Sequence, residues 1–222
     1  MADSKRILMV VANPSTATTT GWPVGFWASE LIHPYDQFTK AGFEVTIASA
    51  DGGKVEFDAM SNPRDPSGYS KDDTLSDAYL DKPKFVALLD DTPAVGDLAA
   101  DDFDAIVVCG GQSPMFTFDR AEPLQKIFSA FAATDKVHAA LCHGTSLLLY
   151  LENVDGTPFV RGRAMTGFAN SEEDYADQAV GQRLMPFRIE DEAKRLVADF
   201  TTADAFAPVA VRDGLLVTGQ QQ

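Results

Sequence analysis

Short apolar runs alternate along this chain with segments of helical character, and this alternation limits the folds open to it. The runs are rich in β-branched residues, as strands buried on both faces of a parallel sheet are. Strands are predicted at Ile7–Val11, Glu44–Ser49, Ala105–Cys109, Val137–Leu141, Arg163–Thr166, Ala207–Val211 and Leu215–Thr218. Helices are predicted at Phe26–Lys40, Leu124–Ala133, Thr145–Leu151, Ser171–Gly181 and Ile189–Asp199. Such an order predicts an α/β, flavodoxin-like fold, in which a doubly wound and mostly parallel sheet carries helices on both faces.

Chain length and local composition indicate the domain organisation. A chain of 222 residues suits one α/β domain over 1–222. An acidic insertion is expected near 59–104, where Arg64–Asp104 holds eleven Asp, four Lys or Arg and no Glu. We expect it to be solvated, partly helical and placed over the sheet, although a charged surface without a role is the plainer interpretation. The chain stops just after a strand, so a closing C-terminal helix is expected to be missing.

Charge and cysteine usage exclude several classes of function. The 18 Lys and Arg against 33 Asp and Glu give a net charge of −15, which disfavours nucleic-acid and anionic-membrane surfaces and favours a neutral substrate. Two cysteines cannot form a disulfide framework, and the N-terminal apolar stretch is too short for a signal peptide. We therefore expect a cytoplasmic protein with no nucleic-acid or membrane partner.

The segment Val137–Tyr150 carries the strongest chemical signal. A predicted strand leads into Cys142 and a predicted helix follows Gly144, with Ala140 and Gly144 as the small residues that a sharp nucleophile elbow requires. At such a turn the helix dipole and free amides favour a thiolate and can hold an oxyanion. The alternative is that Cys142 is a small buried apolar residue.

The other candidate residues carry weaker signals. Cys109 ends an apolar strand and is interpreted as structural, while His33 and His138 lack a catalytic setting. Gly110-Gly111 is either a tight turn or, beside the elbow, a second source of oxyanion donors. Because no HxxxH or CxxC spacing occurs, no metal site is expected.

Several motifs together resemble the ThiJ/PfpI superfamily, which is related in fold to class I glutamine amidotransferases. Its nucleophile motif is matched by AALCHGT around Cys142. The chain is further similar to the branch of heat-shock-protein-31 chaperones and glutathione-independent glyoxalases. That branch is matched at Gly25–Glu30, Leu31–Pro34, Gly42–Val45, Ala48–Ser49, Gly52–Gly53, Phe57–Asp58, Thr166–Phe168, Glu172–Glu173 and Asp213–Gly219.

The resemblance implies roles for particular residues. Glu30 would lie beside the sulfur of Cys142, with its neutral form favoured by an apolar site against Trp27. His143 and Glu173 would complete a Cys-His-Glu triad, with Glu172 as the competing partner of the imidazole. The backbone N–H groups of Gly111 and His143 would form the oxyanion hole, with Gly110 and Gln112 also lining the substrate site.

Two departures from the branch pattern are expected to affect the pocket rim. Gln112-Ser113 stands where the branch usually has His-Gly, and Thr145 stands where it often has proline. Both differences bear on the identity of the substrate more than on the identity of the nucleophile.

The resemblance implies an enzyme that converts methylglyoxal or a related 2-oxoaldehyde into a 2-hydroxy acid through a hemithioacetal on Cys142. Neither a metal nor glutathione is required as cofactor, and a homodimer is expected. The alternatives are a cysteine-dependent hydrolase or hydratase of amides, peptides or isonitriles, and a stress-response chaperone or redox sensor.

Overall fold

The computed structural model describes residues 4–221, so Met1–Asp3 and Gln222 of the predicted domain lie outside it. The strands are Arg6–Val11 (β1), Ser15–Thr16 (β2), Pro23–Val24 (β3), Glu44–Ser49 (β4), Ala105–Val108 (β5), Val137–Leu141 (β6), Ala164–Met165 (β7), Asp199–Phe200 (β8), Ala210–Asp213 (β9) and Leu216–Gly219 (β10). Six of them form a central sheet in the order β4-β1-β5-β6-β10-β9, with β9 antiparallel to β10 and every other pair parallel. This order confirms the predicted doubly wound sheet.

Helices cover both faces of the sheet. They are Ala28–Lys40 (α1), Thr74–Leu80 (α2), Pro83–Asp90 (α3), Pro114–Thr117 (α4), Glu122–Ala132 (α5), Asn170–Val180 (α6) and Ile189–Arg195 (α7). Alternate residues of β1 enter different cores: Leu8 and Val10 pack in the same core as α5, and Met9 and Val11 in the same core as α1. The acidic insertion is partly helical, as predicted, since it contains α2 and α3.

Several predicted elements differ from the structure for local reasons. The helix predicted from Phe26 begins at Ala28 and runs through Pro34 to Lys40. The helix predicted over Ile189–Asp199 ends at Arg195, because Val197 takes a left-handed φ of 68° and Ala198 N–H donates to Ala193. The strand predicted over Arg163–Thr166 lies outside the main sheet, since β7 pairs with β8.

The carboxyl ends of β5 and β6 meet at one edge of the sheet. Since these strands are parallel neighbours, the residues that follow them, Cys109–Gly111 and Cys142–Gly144, are brought together there. Ligands of open α/β sheets bind at this edge. Within residues 4–221, no helix has the length and apolar character needed to cross a membrane.

Candidate active site

Cys142 lies on a sharp turn directly after β6, as the elbow motif predicts. Its φ of 53° is left-handed, a conformation that a non-glycine residue holds only when its surroundings impose it. A Cβ on Gly144 would lie 2.7 Å from the carbonyl oxygen of Cys109, so only glycine fits there. The helix predicted at Thr145–Leu151 is instead a 3-10 helix over Cys142–Tyr150. The Thr145 hydroxyl donates to the Cys142 carbonyl at 2.6 Å, so the carbonyl of the first residue of this helix has a local partner.

Glu30 reaches the sulfur from the first turn of α1. Its side chain is buried and hydrogen-bonded to Cys142, and its Oε2 accepts the N–H of Gly110 at 2.6 Å. Burial raises the pKa of this carboxyl to about 7, against the lowering effect of those two hydrogen bonds. Burial thus favours the neutral form of Glu30, which is the direction that the resemblance implies.

The thiol of Cys142 does not have the lowered pKa that the elbow pattern predicts. Burial and the neighbouring Glu30 carboxylate raise it well above the ordinary value, while the backbone N–H groups of His143 and Gly111 act in the opposite direction. The sulfur therefore holds its proton while Glu30 is ionised. The sequence of the turn alone does not indicate this raised pKa, because Glu30 is far from Cys142 in the sequence.

The backbone carbonyl of Glu30 has no helical N–H partner and lies near Cys109 instead. A proline has no N–H to donate to the carbonyl four residues earlier, which here is Glu30. The thiol of Cys109 donates to that carbonyl at 3.4 Å. Cys109 is fully buried, and burial together with Glu30 raises its pKa, so its structural interpretation agrees with its surroundings.

His143 lies between the sulfur and a second buried carboxylate. Its Nδ1 lies 3.7 Å from Cys142 Sγ, and its Nε2 lies 3.0 Å from Glu173 Oε1. Burial lowers the pKa of the imidazole, but the neighbouring Glu173, with Glu30 and Asp58, outweighs burial and raises it above the ordinary value. The ring also packs against Phe168 at 4.2 Å between centroids.

Glu172, the competing residue, faces away from His143. Its Oε2 accepts the N–H of Ala169 at 2.8 Å, and its Oε1 accepts the N–H of Phe206 at 2.9 Å. Of the two acids, Glu173 is therefore the one that contacts His143, whereas Glu172 holds the backbone of Ala169 and Phe206.

The glycine turn after β5 supplies one of the two amides that point at the sulfur. The N–H groups of Gly111 and His143, the two that are expected to form an oxyanion hole, both hydrogen-bond to Cys142. Gly110 does not contribute, because its N–H is already donated to Glu30. Gly111 has a φ of 103°, and a Cβ there would lie 2.4 Å from Trp27 N.

Asp58 is a buried acid to which the sequence analysis gave no role. Its two oxygens accept the N–H groups of Gly25 at 2.8 Å and Gln112 at 2.6 Å. Ser113 N–H in turn donates to the Gly25 carbonyl at 2.9 Å, which closes a ring of bonds around the glycine turn. Burial raises the pKa of Asp58 to about 6. The only sequence signal was its place in the Phe57–Asp58 match.

The two departures from the branch pattern do not both reach the rim. Gln112 lines the pocket, as expected. Ser113 is buried and donates to the Asn13 carbonyl at 2.6 Å, and Thr145 is buried beneath the elbow. The prediction that both changes touch the rim is thus wrong for Ser113 and Thr145.

Cys142 lies at the inner end of a pocket of about 150 Å³. Glu30, Gly111, Gln112, His143 and Glu173 also line it. His33 and His138 do not, in agreement with the sequence analysis: His33 pairs with Asp73 at 2.9 Å, and His138 contacts the Lys136 carbonyl at 3.0 Å. A buried thiol, two acids, an imidazole and two amides in one small pocket can perform addition to a carbonyl group and proton transfer.

Known proteins share this sequence pattern and fold. The chain is 29% identical to Glutathione-independent glyoxalase HSP31 of Saccharomyces cerevisiae, across 99% of this chain and 92% of that protein. It is 27% identical to Glyoxalase 3 of Candida albicans, across 77% and 71% of the two chains. The crystal structure of glyoxalase III from Candida albicans superposes with a TM-score of 0.80 at 24% identity, covering 98% of this chain and 91% of that one.

A family model covers almost the whole chain. Residues 23–222 match the model described as the DJ-1/PfpI family, which includes the elbow, the glycine turn and both acids that face the site. With the fold and the site geometry, this match confirms the resemblance read from the sequence motifs: the chain belongs to the DJ-1/PfpI family.

Proposed function

We propose that the protein is a glutathione-independent glyoxalase that converts methylglyoxal, or a related 2-oxoaldehyde, into a 2-hydroxy acid. One observation carries the proposal: the Glu30 carboxyl is hydrogen-bonded to the Cys142 thiol at the inner end of a small pocket. A cysteine with its own acid-base partner can replace the thiol of glutathione. The relatives from Saccharomyces cerevisiae and Candida albicans bear names of this activity.

The first step is addition of sulfur to the aldehyde carbon. As the C–S bond forms, the Glu30 carboxylate takes the thiol proton and the carbonyl π electrons move to oxygen. The N–H groups of Gly111 and His143 stabilise that oxygen. Return of the proton to oxygen gives a neutral hemithioacetal.

The second step moves hydrogen between the two carbons. Glu30 or His143 removes the proton from the former aldehyde carbon to give an enediol, and a proton is then delivered to the neighbouring carbon. The first carbon is oxidised to a thioester while the second is reduced to an alcohol, so no external oxidant or reductant is required. Water then cleaves the thioester, which releases the 2-hydroxy acid and restores the thiol.

His143 is well placed for the proton transfers. Its Nδ1 faces the sulfur while Glu173 holds its Nε2, so one ring nitrogen is oriented toward the reacting atoms. The small neutral substrate also suits a protein with a net charge of −15.

The site geometry disfavours the competing functions. Cys142 is only 5% exposed, which suits a small molecule better than a peptide chain. A redox-sensing cysteine requires an accessible thiolate, whereas burial and Glu30 raise the pKa of this thiol.

The cellular setting belongs to the same proposal. We propose a homodimer in the cytoplasm, acting on a neutral carbonyl compound without nucleic-acid or membrane partners. Light scattering on the purified protein tests the dimer, which a monomeric mass at micromolar concentration would exclude.

D-lactate formation from methylglyoxal, measured without glutathione, tests the function. The wild type is expected to turn over, and Cys142→Ala and Glu30→Gln to lose activity. Cys109→Ala is the matched control, since it removes the other thiol and only a weak S–H···O bond. If the folded wild-type protein forms no 2-hydroxy acid from methylglyoxal or from any related 2-oxoaldehyde, the proposal is refuted.

A further inference from the structure

The outer part of the pocket above Cys142 is lined by two aromatic pairs. Trp27 and Tyr69 lie edge to face with 6.0 Å between ring centroids, and Tyr175 and Phe206 do so at 5.2 Å. All four side chains line the pocket. They come from separate parts of the chain, which the fold has to bring together.

Exposed apolar side chains are concentrated here. Single exposed hydrophobic residues are normal on a protein surface, but a cluster of them marks a binding site. Among residues 4–221, eleven large hydrophobic side chains are exposed, and five of these line this pocket. Those five are Met60, Tyr69, Tyr175, Val180 and Phe206.

Phe206 is held at the pocket in a costly backbone conformation. Its φ of 62° is left-handed, which is rare for a bulky residue. Its N–H donates to the buried Glu172 at 2.9 Å, and its carbonyl accepts from the Gln221 side chain at 3.0 Å. Strain that surrounding bonds maintain is a property of functional positions, and here it fixes the place of an aromatic ring.

The size and charge of the pocket indicate what the aromatic residues contact. An apolar cavity of about 150 Å³ is large enough to bind benzene, and this pocket has a volume of about 150 Å³. Methylglyoxal has only a methyl group to place there. Among the described residues that line the pocket, none is Lys or Arg, and Glu30 and Glu173 are acids, so an anionic substituent would be disfavoured.

We infer that the aromatic pairs form a subsite for an aryl substituent, and that the protein prefers aryl-substituted 2-oxoaldehydes to methylglyoxal. This inference rests on the proposed glyoxalase function. Phenylglyoxal is the simplest probe, and addition of one water converts it into mandelate. The aldehyde carbon is oxidised to the carboxylate, the ketone carbon is reduced to the alcohol, and the acid proton is released.

The test compares kcat/KM for phenylglyoxal and methylglyoxal, measured by formation of mandelate and lactate. Product has to be followed, because phenylglyoxal is also consumed by arginine side chains. We expect phenylglyoxal to be preferred by about tenfold or more, the lower limit of what one additional apolar group contributes in a hydrophobic pocket. Tyr175→Ala and Phe206→Ala should each reduce that preference severalfold.

Phe43→Ala is the matched control. Phe43 is an exposed aromatic residue that precedes β4, at the opposite end of the sheet from the site. Its variant should keep the wild-type preference. Turnover of methylglyoxal with equal or poorer turnover of phenylglyoxal would overturn the inference and leave the proposed function standing.

A binding measurement separates the subsite from catalysis. Cys142→Ala should bind 2-hydroxyacetophenone at least about tenfold more tightly than hydroxyacetone, with Tyr175→Ala in the same background reducing the difference. If neither oxoaldehyde is turned over but this preference is found, the proposed function fails and the aryl subsite stands. Equal binding of the two ketones would refute the subsite.

Discussion

The carboxyl group of Glu30 is hydrogen-bonded to the thiol of Cys142, although the two residues are 112 positions apart in the sequence. Burial makes a charge on either group unfavourable, so the pKa of Glu30 is raised to about 7 and that of Cys142 is raised well above its ordinary value. Near neutral pH the pair therefore contains an ionised carboxyl beside a protonated thiol, or both groups are neutral.

The pH dependence of turnover should follow Glu30. Because the carboxylate has to accept the thiol proton, we expect kcat/KM for methylglyoxal to rise with pH and to level off above about 7. His143 and Asp58 also face Glu30, and their charges affect its pKa in opposite directions. Glu30→Gln should abolish the rise. A wild-type rate that is constant between about pH 5.5 and 8.5 would contradict this assignment.

Glu30 should also lower the stability of the protein at alkaline pH. Its folded pKa is raised from 4.5 to about 7, so its favourable contribution is complete below about 4.5 and is lost as the pH rises through 7. At pH 8 the buried carboxylate costs on the order of 3 kcal/mol. Glu30→Gln should therefore raise the free energy of unfolding at pH 8 more than at pH 5, as measured by urea denaturation. An equal effect at both pH values would show that the pKa of Glu30 is not raised in the folded protein.

The adjacent acids of α6 provide a matched pair of variants. Glu173→Gln removes the charge that orients His143, and turnover should fall by about 100-fold. Glu172→Gln leaves that contact intact but disturbs the bonds to Ala169 and Phe206, so it should lower the melting temperature more than the turnover. Methylglyoxal kinetics and thermal unfolding of both variants test this. The reverse ranking would exchange the two assignments.

Asp58 should act as a positioning residue for the glycine turn. In Asp58→Asn, one of the two N–H groups from Gly25 and Gln112 loses its acceptor, and the Gly111 amide is less well held. We expect kcat to fall by about tenfold or more, with a smaller change in KM. Since the charge of Asp58 raises the pKa of Glu30, the midpoint of the pH profile should also move to lower pH. A loss of stability without that shift would indicate a structural role alone.

Gly111 should not tolerate a side chain. In Gly111→Ala the new Cβ would lie 2.4 Å from Trp27 N at a φ of 103°, so the turn has to move and activity should be lost. Gly156→Ala is the control, because Gly156 also has a positive φ, 77°, but has no atoms within 4 Å of the added Cβ. It should cost only about 1 kcal/mol, from backbone conformation. Similar losses of turnover in the two variants would contradict a steric role for Gly111.

Much of the fold could be predicted because its signals are local. The strands Glu44–Ser49 and Val137–Leu141 have the predicted bounds, since apolar periodicity marks a buried strand directly. The end of α7 could not be predicted in the same way. It depends on Val197 adopting a left-handed φ, which the residue type disfavours.

The site residues also differ in whether a local pattern could predict them. Cys142, His143 and Gly144 are contiguous, so their pattern was recognisable as an elbow. The direction of the Cys142 pKa was not, because it depends on Glu30 and on burial. The contacts of Asp58 could not be predicted from a local pattern either, since its partners Gly25 and Gln112 are 33 and 54 residues away.

The unequal burial of the two thiols offers a way to count the correctly folded molecules in a preparation. Cys109 is completely enclosed and bonded to the Glu30 carbonyl, whereas Cys142 is 5% exposed at the end of a pocket. With Glu30 as the base that accepts the thiol proton, Cys142 should therefore react slowly with one equivalent of a small alkylating reagent in the native chain, and Cys109 only after denaturation. The ratio of the two readings gives the active fraction of any preparation, without a substrate and before the reaction itself is known.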